Sequence, residues 1–257
     1  GGWKQIVAAM AIVAMIAEYI DDQATLLQLL DAVRQQVAAA HPRVRYGAWY
    51  AVIQFASDRS AEVCQDAVCA QMMPCFVQGL DDPCSRACLK CMEAFHHYGE
   101  NVERENLEPF VEGLMTKVGA KLQGASTAFQ KSAITFIAVV AGQIEDGFAP
   151  FYPQLMPLLK ATIERTVHQV EERALLGKCF ECISLMAKSV GREGFKADAQ
   201  QIMTAMMTAT SAPGLPNNDP VKEYMMAASE RICQTMKADF LPFVEALLPF
   251  VLQKFAV

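Results

Sequence analysis

Long hydrophobic runs are scarce in this chain. The apolar stretch from Ile6 to Ala17 is 12 residues, too short to span a bilayer and Ala-rich rather than Leu-rich. No basic segment precedes it, so a signal peptide is not expected either. No segment alternates with the period of two that a strand requires. Gly-x-Ser-x-Gly, a Gly-rich phosphate loop and His-Glu-x-x-His are all absent, which points away from catalysis and from a bound cofactor. Positive charge is also limited. Lys and Arg total 22 against 28 Asp and Glu, a net charge of -6, whereas a phosphate-binding surface needs clustered cations. A mildly acidic surface suits a basic partner instead. There is no initiator Met, and a helical pattern starts directly behind Gly1-Gly2-Trp3 without a capping residue. This reads as a piece excised from a longer array.

What is present is a recurrence. His41-Pro42-Arg43-Val44-Arg45 opens a helical pattern and returns as Asp82-Pro83-Cys84-Ser85-Arg86. Arg45 to Arg86 is 41 residues, Arg86 to Arg173 is 87, and Arg173 to Lys222 is 49. A step in the forties with helical punctuation inside it marks two-helix repeats that stack into a solenoid. Apolar residues make up 53% of the 257, enough for a continuous core. The expected fold is therefore all-α, a solenoid of about six helix pairs over residues 3–40, 41–81, 82–124, 125–168, 169–218 and 219–257, forming one array.

The stripes support these units. Val44, Gly47, Ala48, Ala51, Val52 and Phe55 recur three or four apart in unit two, giving one apolar helix face. Unit three repeats this with Cys84, Cys88, Cys91, Met92 and Phe95, and unit six with Val221, Met225, Ala228 and Ile232. Several second helices carry a Pro near their start, as in Glu108-Pro109-Phe110, Pro150-Phe151-Tyr152-Pro153 and Leu241-Pro242-Phe243. Pro is tolerated there because its missing N–H has no intrahelical partner. Pro74 and Pro157 fall deeper and are expected to bend their helices. The breaker-rich loop from Ser211 to Pro220 accounts for the longest step.

The Pro-x-Val-Arg opening followed by a Leu/Phe-Pro second helix resembles a HEAT repeat. His41 to Tyr46, Phe148-Ala149-Pro150-Phe151-Tyr152, Leu176 to Leu185 and Ser189-Val190-Gly191-Arg192-Glu193-Gly194-Phe195 follow in order. Together they resemble the middle of a karyopherin-β nuclear import receptor of the importin-five (karyopherin-beta-three) type, from Trp3 through unit six. The resemblance implies a shuttling receptor of cytoplasm and nucleus. Such receptors carry basic cargo, release it to Ran-GTP and touch Phe-Gly nucleoporins, without binding nucleic acid directly or inserting into membrane. Two departures stand out: Asp219 is the one charged residue in the loop before unit six, and unit three is rich in cysteine. The repeated Trp-x-x-x-Asn of an importin-α groove is absent, since Trp3 and Trp49 are the only tryptophans. A HEAT scaffold of another class, such as a phosphatase scaffold or a coat adaptor, is the alternative, and an enzyme-associated regulatory array a third.

In a HEAT solenoid the second helices line the concave side. Their residues off the apolar stripe are the candidate cargo-binding set: Asp31, Asp66, Glu108, Glu112, Thr116, Gln154, Glu164, Gln201, Thr204 and Glu245, with Gln28, Gln35 and Thr208 beside them. Carboxylates among amides can hold Lys ammonium groups by charge-assisted hydrogen bonds. Each residue alone also fits an ordinary solvated face. Arg45, Arg86 and Arg173 recur at helix starts and are expected to tie adjacent repeats together.

Nine cysteines, an odd number within helical patterns, indicate reduced thiols and an intracellular setting. Cys88/Cys91 and Cys179/Cys182 have Cys-x-x-Cys spacing, which also suits zinc or redox chemistry. Aligning the units places Cys88, Cys91 and Cys179 where unit two has Ala48 and Ala51, so core filling is the favoured reading and no metal is expected. His96 and His97 lack an acidic partner at ligand spacing. Trp49, Tyr50 and Phe129 could contribute to Phe-Gly pockets, but packing between repeats is favoured.

Overall fold

A computed structural model of the chain describes residues 2–124, 126–211, 215 and 218–253. Its helices run in the order α1 (Trp3–Ile16), α2 (Gln23–Gln36), α3 (Pro42–Asp58), α4 (Ser60–Val63), α5 (Asp66–Gly79), α6 (Ser85–Gly99), α7 (Arg104–Leu107), α8 (Val111–Gly124) and α9 (Thr127–Ile144), then α10 (Tyr152–Thr166), α11 (Arg173–Thr210), α12 (Pro220–Met236) and α13 (Leu241–Gln253). Among the described residues there is no strand, and the chain is an all-α solenoid. The helices collect into two compact units, Gly1–Ile144 and Glu145–Val257. In the first, α1 lies on α3, α3 on α6, and α6 on α9, while α2 and α8 pack on α3 and α9. In the second, α11 packs against both α10 and α12. Of the breaker-rich loop, residues 212–214, 216 and 217 lie outside the described residues.

Two of the repeated openings are helix caps, and the third holds the chain just ahead of its helix. His41 Nδ1 accepts from the Arg43 amide at 3.2 Å, with Pro42 in the first turn of α3. Asp82 Oδ1 accepts from the Cys84 amide at 2.8 Å ahead of α6, and Asp219 Oδ1 from the Val221 amide at 3.2 Å, with Pro220 opening α12. His41 and Asp219 each satisfy a backbone donor that the first helical turn leaves without a partner, whereas Asp82 holds the amide of Cys84, the residue preceding the helix. Second helices are reached differently. Pro109 sits in a 3₁₀ turn (Glu108–Phe110) before α8, and the 3₁₀ turns Glu145–Phe151 and Lys237–Phe240 precede α10 and α13. Phe148 contacts Phe151, and Phe240 contacts Phe243, at ring-centroid distances of 5.5 and 5.6 Å.

The third such corner has no proline. Residues 173–210 form one helical run interrupted at Gly191, where φ is 67° and ψ is -173°. Glu145 and Lys237 also have positive φ, 47° and 53°, and each lies 46 residues from Gly191 in sequence. The chain therefore reverses at the same point of three successive repeats by stepping into left-handed backbone. Only at Gly191 is that done by the residue for which it costs nothing sterically.

Packing within the first unit runs through an aromatic series. Trp49 stacks on Phe76 (5.0 Å), Phe76 meets Phe95 edge-on (5.3 Å), and Phe95 stacks on Phe136 (3.8 Å). All four are buried; α3 and α5 are the two helices of unit two, while α6 and α9 open units three and four. Trp49 is thus core packing, as favoured over a Phe-Gly pocket, but its stacking partner Phe76 lies in its own repeat rather than the neighbouring one. In the second unit Gly177 of α11 lets Tyr224 of α12 approach closely, since a Cβ there would sit 2.3 Å from Tyr224 Cδ2. Part of α9 and the helix beyond it is long and apolar enough to cross a membrane by composition, but half of that window is buried inside the protein.

Candidate binding surface

The second helices α2, α5, α8, α10, residues 192–210 of α11 and α13 carry the predicted polar row. Two grooves gather part of it. In the first unit, α2 and α5 enclose a groove lined by Gln28, Asp31, Arg34, Gln71 and Met72 among others. Asp31 is held from its own helix, accepting from Arg34 Nε at 3.0 Å and Gln35 Nε2 at 2.8 Å. The Arg34 hydrogen bond keeps its carboxyl below the ordinary range, so it is a carboxylate at neutral pH. In the second unit, α10 and the second half of α11 enclose a groove that brings Glu164, Gln201, Thr204 and Thr208 together with Lys160, His168 and Gln200. Gln201 Nε2 donates to Glu164 Oε1 at 3.1 Å, and Gln200 Nε2 donates to Thr204 Oγ1 at 3.2 Å.

The remaining predicted residues are exposed but lie outside these grooves. Asp66 accepts from Asn106 Nδ2 at 2.8 Å, and Glu108 pairs with Arg104 Nε at 2.7 Å. Thr116 Oγ1 donates to the Glu112 carbonyl at 2.9 Å. Gln154 and Glu245 are exposed on α10 and α13. The row is therefore already laced by short polar contacts, two of them between repeats. An incoming ammonium group would share these carboxylates rather than meet them bare.

Two of the three predicted ladder arginines join repeats. Arg45 Nε and Nη2 donate to the two Asp82 oxygens at 2.6 and 2.7 Å, and Nη1 donates to the Ala39 and Ala40 carbonyls at 2.9 and 3.0 Å. Arg173 forms the same fork on Asp219, through Nε at 3.2 Å and through Nη2. Asp219 also caps α12, and Asp82 accepts from the Cys84 amide just ahead of α6, so each carboxylate also holds the start of the next repeat. Arg86 does something else: it is exposed and lines an outer groove between α3 and α6 with Arg43, Tyr46 and Lys90.

Other contacts were not anticipated from sequence. Asp198 accepts from Tyr152 Oη at 2.6 Å and from Lys160, and burial together with that carboxylate pushes the Tyr152 phenol up. Lys117 pairs with Asp81. Gln143 Nε2 donates to the Glu100 and Val102 carbonyls at 3.1 and 2.9 Å. These pairs are 36 to 46 residues apart, close to the repeat step, and that spacing is the signal that could have found them.

Cys88, Cys91, Cys179 and Cys182 are all buried. Cys88 Sγ donates to the Leu80 carbonyl at 3.4 Å, and Cys182 Sγ lies 3.8 Å from Met186 Sδ. Burial pushes all four thiols up, away from the thiolate that metal or redox chemistry needs. Among the described residues no three His, Cys, Asp or Glu converge as metal ligands. His97 Nδ1 lies 3.3 Å from Ser57 Oγ, and His96 Nδ1 3.4 Å from Glu100.

No family model matches the chain. It is 28% identical to importin subunit beta-3 of Saccharomyces cerevisiae over 250 residues, 96% of this chain and 23% of that protein. It is 25% identical to a probable importin-5 homolog of Dictyostelium discoideum over 146 residues, 57% of this chain and 13% of that one. In structure it is similar to crystalline Kap121p, with a TM-score of 0.83 and 27% identity over 96% of this chain and 23% of Kap121p. The chain thus spans about a quarter of the length of importin subunit beta-3 and of Kap121p.

Proposed function

We propose that this chain, which belongs to the karyopherin-β family, is a segment of a nuclear transport receptor that holds basic, Lys-rich localisation signals on a concave face lined by its second helices. The observation that carries this reading is the row of ionised and amide side chains on those helices, gathered into the Asp31 and Glu164 grooves. Carboxylates among amides bind an ammonium group in two ways: the charge supplies attraction, and the amides orient the peptide around it. Kap121p has been crystallised bound to Pho4p, to Ste12p and to Nup53p, which supports protein cargo and a nucleoporin as partners here. On this reading residues 1–257 are a single HEAT array within a longer receptor that shuttles between cytoplasm and nucleus. Ran-GTP would act on that longer receptor, and the segment carries out no catalysis of its own.

The test is an anisotropy titration of this chain with a fluorescein-labelled Lys-rich peptide at low and at physiological salt. Saturable binding that weakens with salt is expected. Asp31→Lys with Glu164→Lys should weaken it about tenfold or more, a loss of about 1.4 kcal/mol, as should Glu108→Lys with Glu112→Lys to a smaller extent. Absence of binding at low salt would refute the basic-cargo reading. Binding indifferent to both double variants would refute the choice of residues.

A further inference from the structure

We infer that the groove between α3 and α6 is a second docking surface, of opposite charge preference, which takes an acidic segment bearing an apolar side chain. It lies on first helices of the first unit and shares no residue with the proposed cargo row. Its walls include Pro42, Tyr46, Cys84 and Leu89, and its charged lining is Arg43, Arg86, Lys90 and Glu93. Glu93 takes up Lys90, at 2.5 Å, which leaves Arg43 and Arg86 as a net surplus of two positive charges. Both are exposed, and neither forms an ion pair among the described residues. Arg86 has a conspicuous site: it is the repeat-start arginine whose equivalents Arg45 and Arg173 are both closed onto aspartates, yet its own guanidinium points to the surface.

The surroundings extend this character. Trp3 stacks on His41 at 4.2 Å and 8° between planes, with Arg43 5.2 Å and Lys4 5.8 Å from its ring centre. Lys90 lies 5.2 Å over Tyr46, which is 40% exposed, and 6.0 Å over Tyr50, 42% exposed. In a chain of net charge -6, a groove with two unneutralised guanidinium groups above aromatic and aliphatic walls is complementary to carboxylates flanking an apolar residue. Arg is the suited cation because its planar fork takes a carboxylate bidentately while its face lies on a ring. Aromatic residues and Arg are also the residues that most often anchor protein interfaces.

The experiment is an anisotropy titration of this chain with four labelled peptides: a Glu-rich peptide with interspersed Leu and Phe, the same peptide with Gln for every Glu, an uncharged Phe-Gly peptide, and the Lys-rich peptide used above. The acidic peptide should bind saturably and lose affinity with salt. Arg43→Glu with Arg86→Glu should weaken it at least tenfold and leave Lys-rich peptide binding unchanged, which separates this surface from the cargo row. Arg43→Ala with Arg86→Ala, with unchanged circular dichroism, should show a smaller loss in the same direction. A charge-matched control, Lys131→Glu with Lys196→Glu, should change it less than twofold. The inference is overturned if the acidic peptide does not saturate at low salt, if its Gln version or the Phe-Gly peptide binds as tightly, or if the control loses as much as the groove variant.

Discussion

The guanidinium of Arg173 is closed over the carboxylate of Asp219, 46 residues away, with side chains only 9% and 2% exposed. Arg45 and Asp82 make the same fork 37 residues apart. In both, the aspartate precedes a proline; Asp219 also caps the helix that Pro220 opens, while Asp82 accepts from the amide of Cys84, the residue just before α6. A buried charge is tolerable only when fully paired and hydrogen-bonded, and here the pair bridges one repeat's first helix to the start of the next.

Removing one partner should therefore cost more than removing both. Arg173→Ala or Asp219→Ala is expected to lose about 3–5 kcal/mol, because each leaves an uncompensated buried charge. Arg173→Met with Asp219→Leu should lose less than either single variant predicts. Urea unfolding of the four proteins checks this, and additive losses would mean the two groups do not act as a pair.

Acid should weaken the array through Asp82. Burial pushes the Asp82 carboxyl up, but hydrogen bonds from Arg45 and the Cys84 amide more than offset it, holding it below its ordinary 3.8. The folded state then binds fewer protons than the unfolded chain, so this stabilisation is complete above the unfolded value and disappears as pH falls through the folded one. Asp82→Asn should lower the urea midpoint at pH 7 and flatten its decline below about pH 4. Asp58 has the opposite sign, because partial desolvation and then Glu18 push its carboxyl up although the residue is largely exposed. Its ionisation destabilises as pH rises through the folded value, so Asp58→Asn should raise the midpoint at pH 7 and change little in acid.

Gly191 is expected to resist substitution although a Cβ there would meet nothing within 4 Å. With φ at 67° and ψ at -173° it occupies a region reserved for glycine, and Gly191→Ala should cost about 1–3 kcal/mol in strain alone. At the equivalent corners, Glu145→Gly and Lys237→Gly relieve strain at non-glycine residues with φ of 47° and 53°, and thermal melts should show little loss or a gain.

Thiol reactivity should follow burial rather than Cys-x-x-Cys spacing. Cys233 is exposed, whereas Cys88, Cys91, Cys179 and Cys182 are buried and their thiols are pushed up. Cys64 is buried too, and pushed up to about 12. Alkylation at pH 8 with mass-spectrometric mapping should label Cys233 first, and the two Cys-x-x-Cys pairs only on unfolding. Early labelling of Cys179 or Cys182 would contradict the core assignment.

Much of this protein is determined by sequence alone. The period in the forties, the 3.6-residue stripes, the His41-Pro42 and Asp219-Pro220 caps and the apolar role of the paired cysteines are local patterns, and local geometry enforces them. Tertiary structure decided what depends on the offset between stacked repeats. That offset brings Arg45 to Asp82 over 37 residues but Arg173 to Asp219 over 46, so no single shift of the sequence predicts both partners. It leaves Arg86 on the surface although its position in the period matches theirs. It also selects, from ten predicted cargo residues on separate helices, Glu164, Gln201 and Thr204 to share one groove. The break at Gly191 had no proline to announce it. A glycine inside a helical pattern costs only about 1 kcal/mol, so that reversal became visible only once α12 and α10 were packed on either side of it.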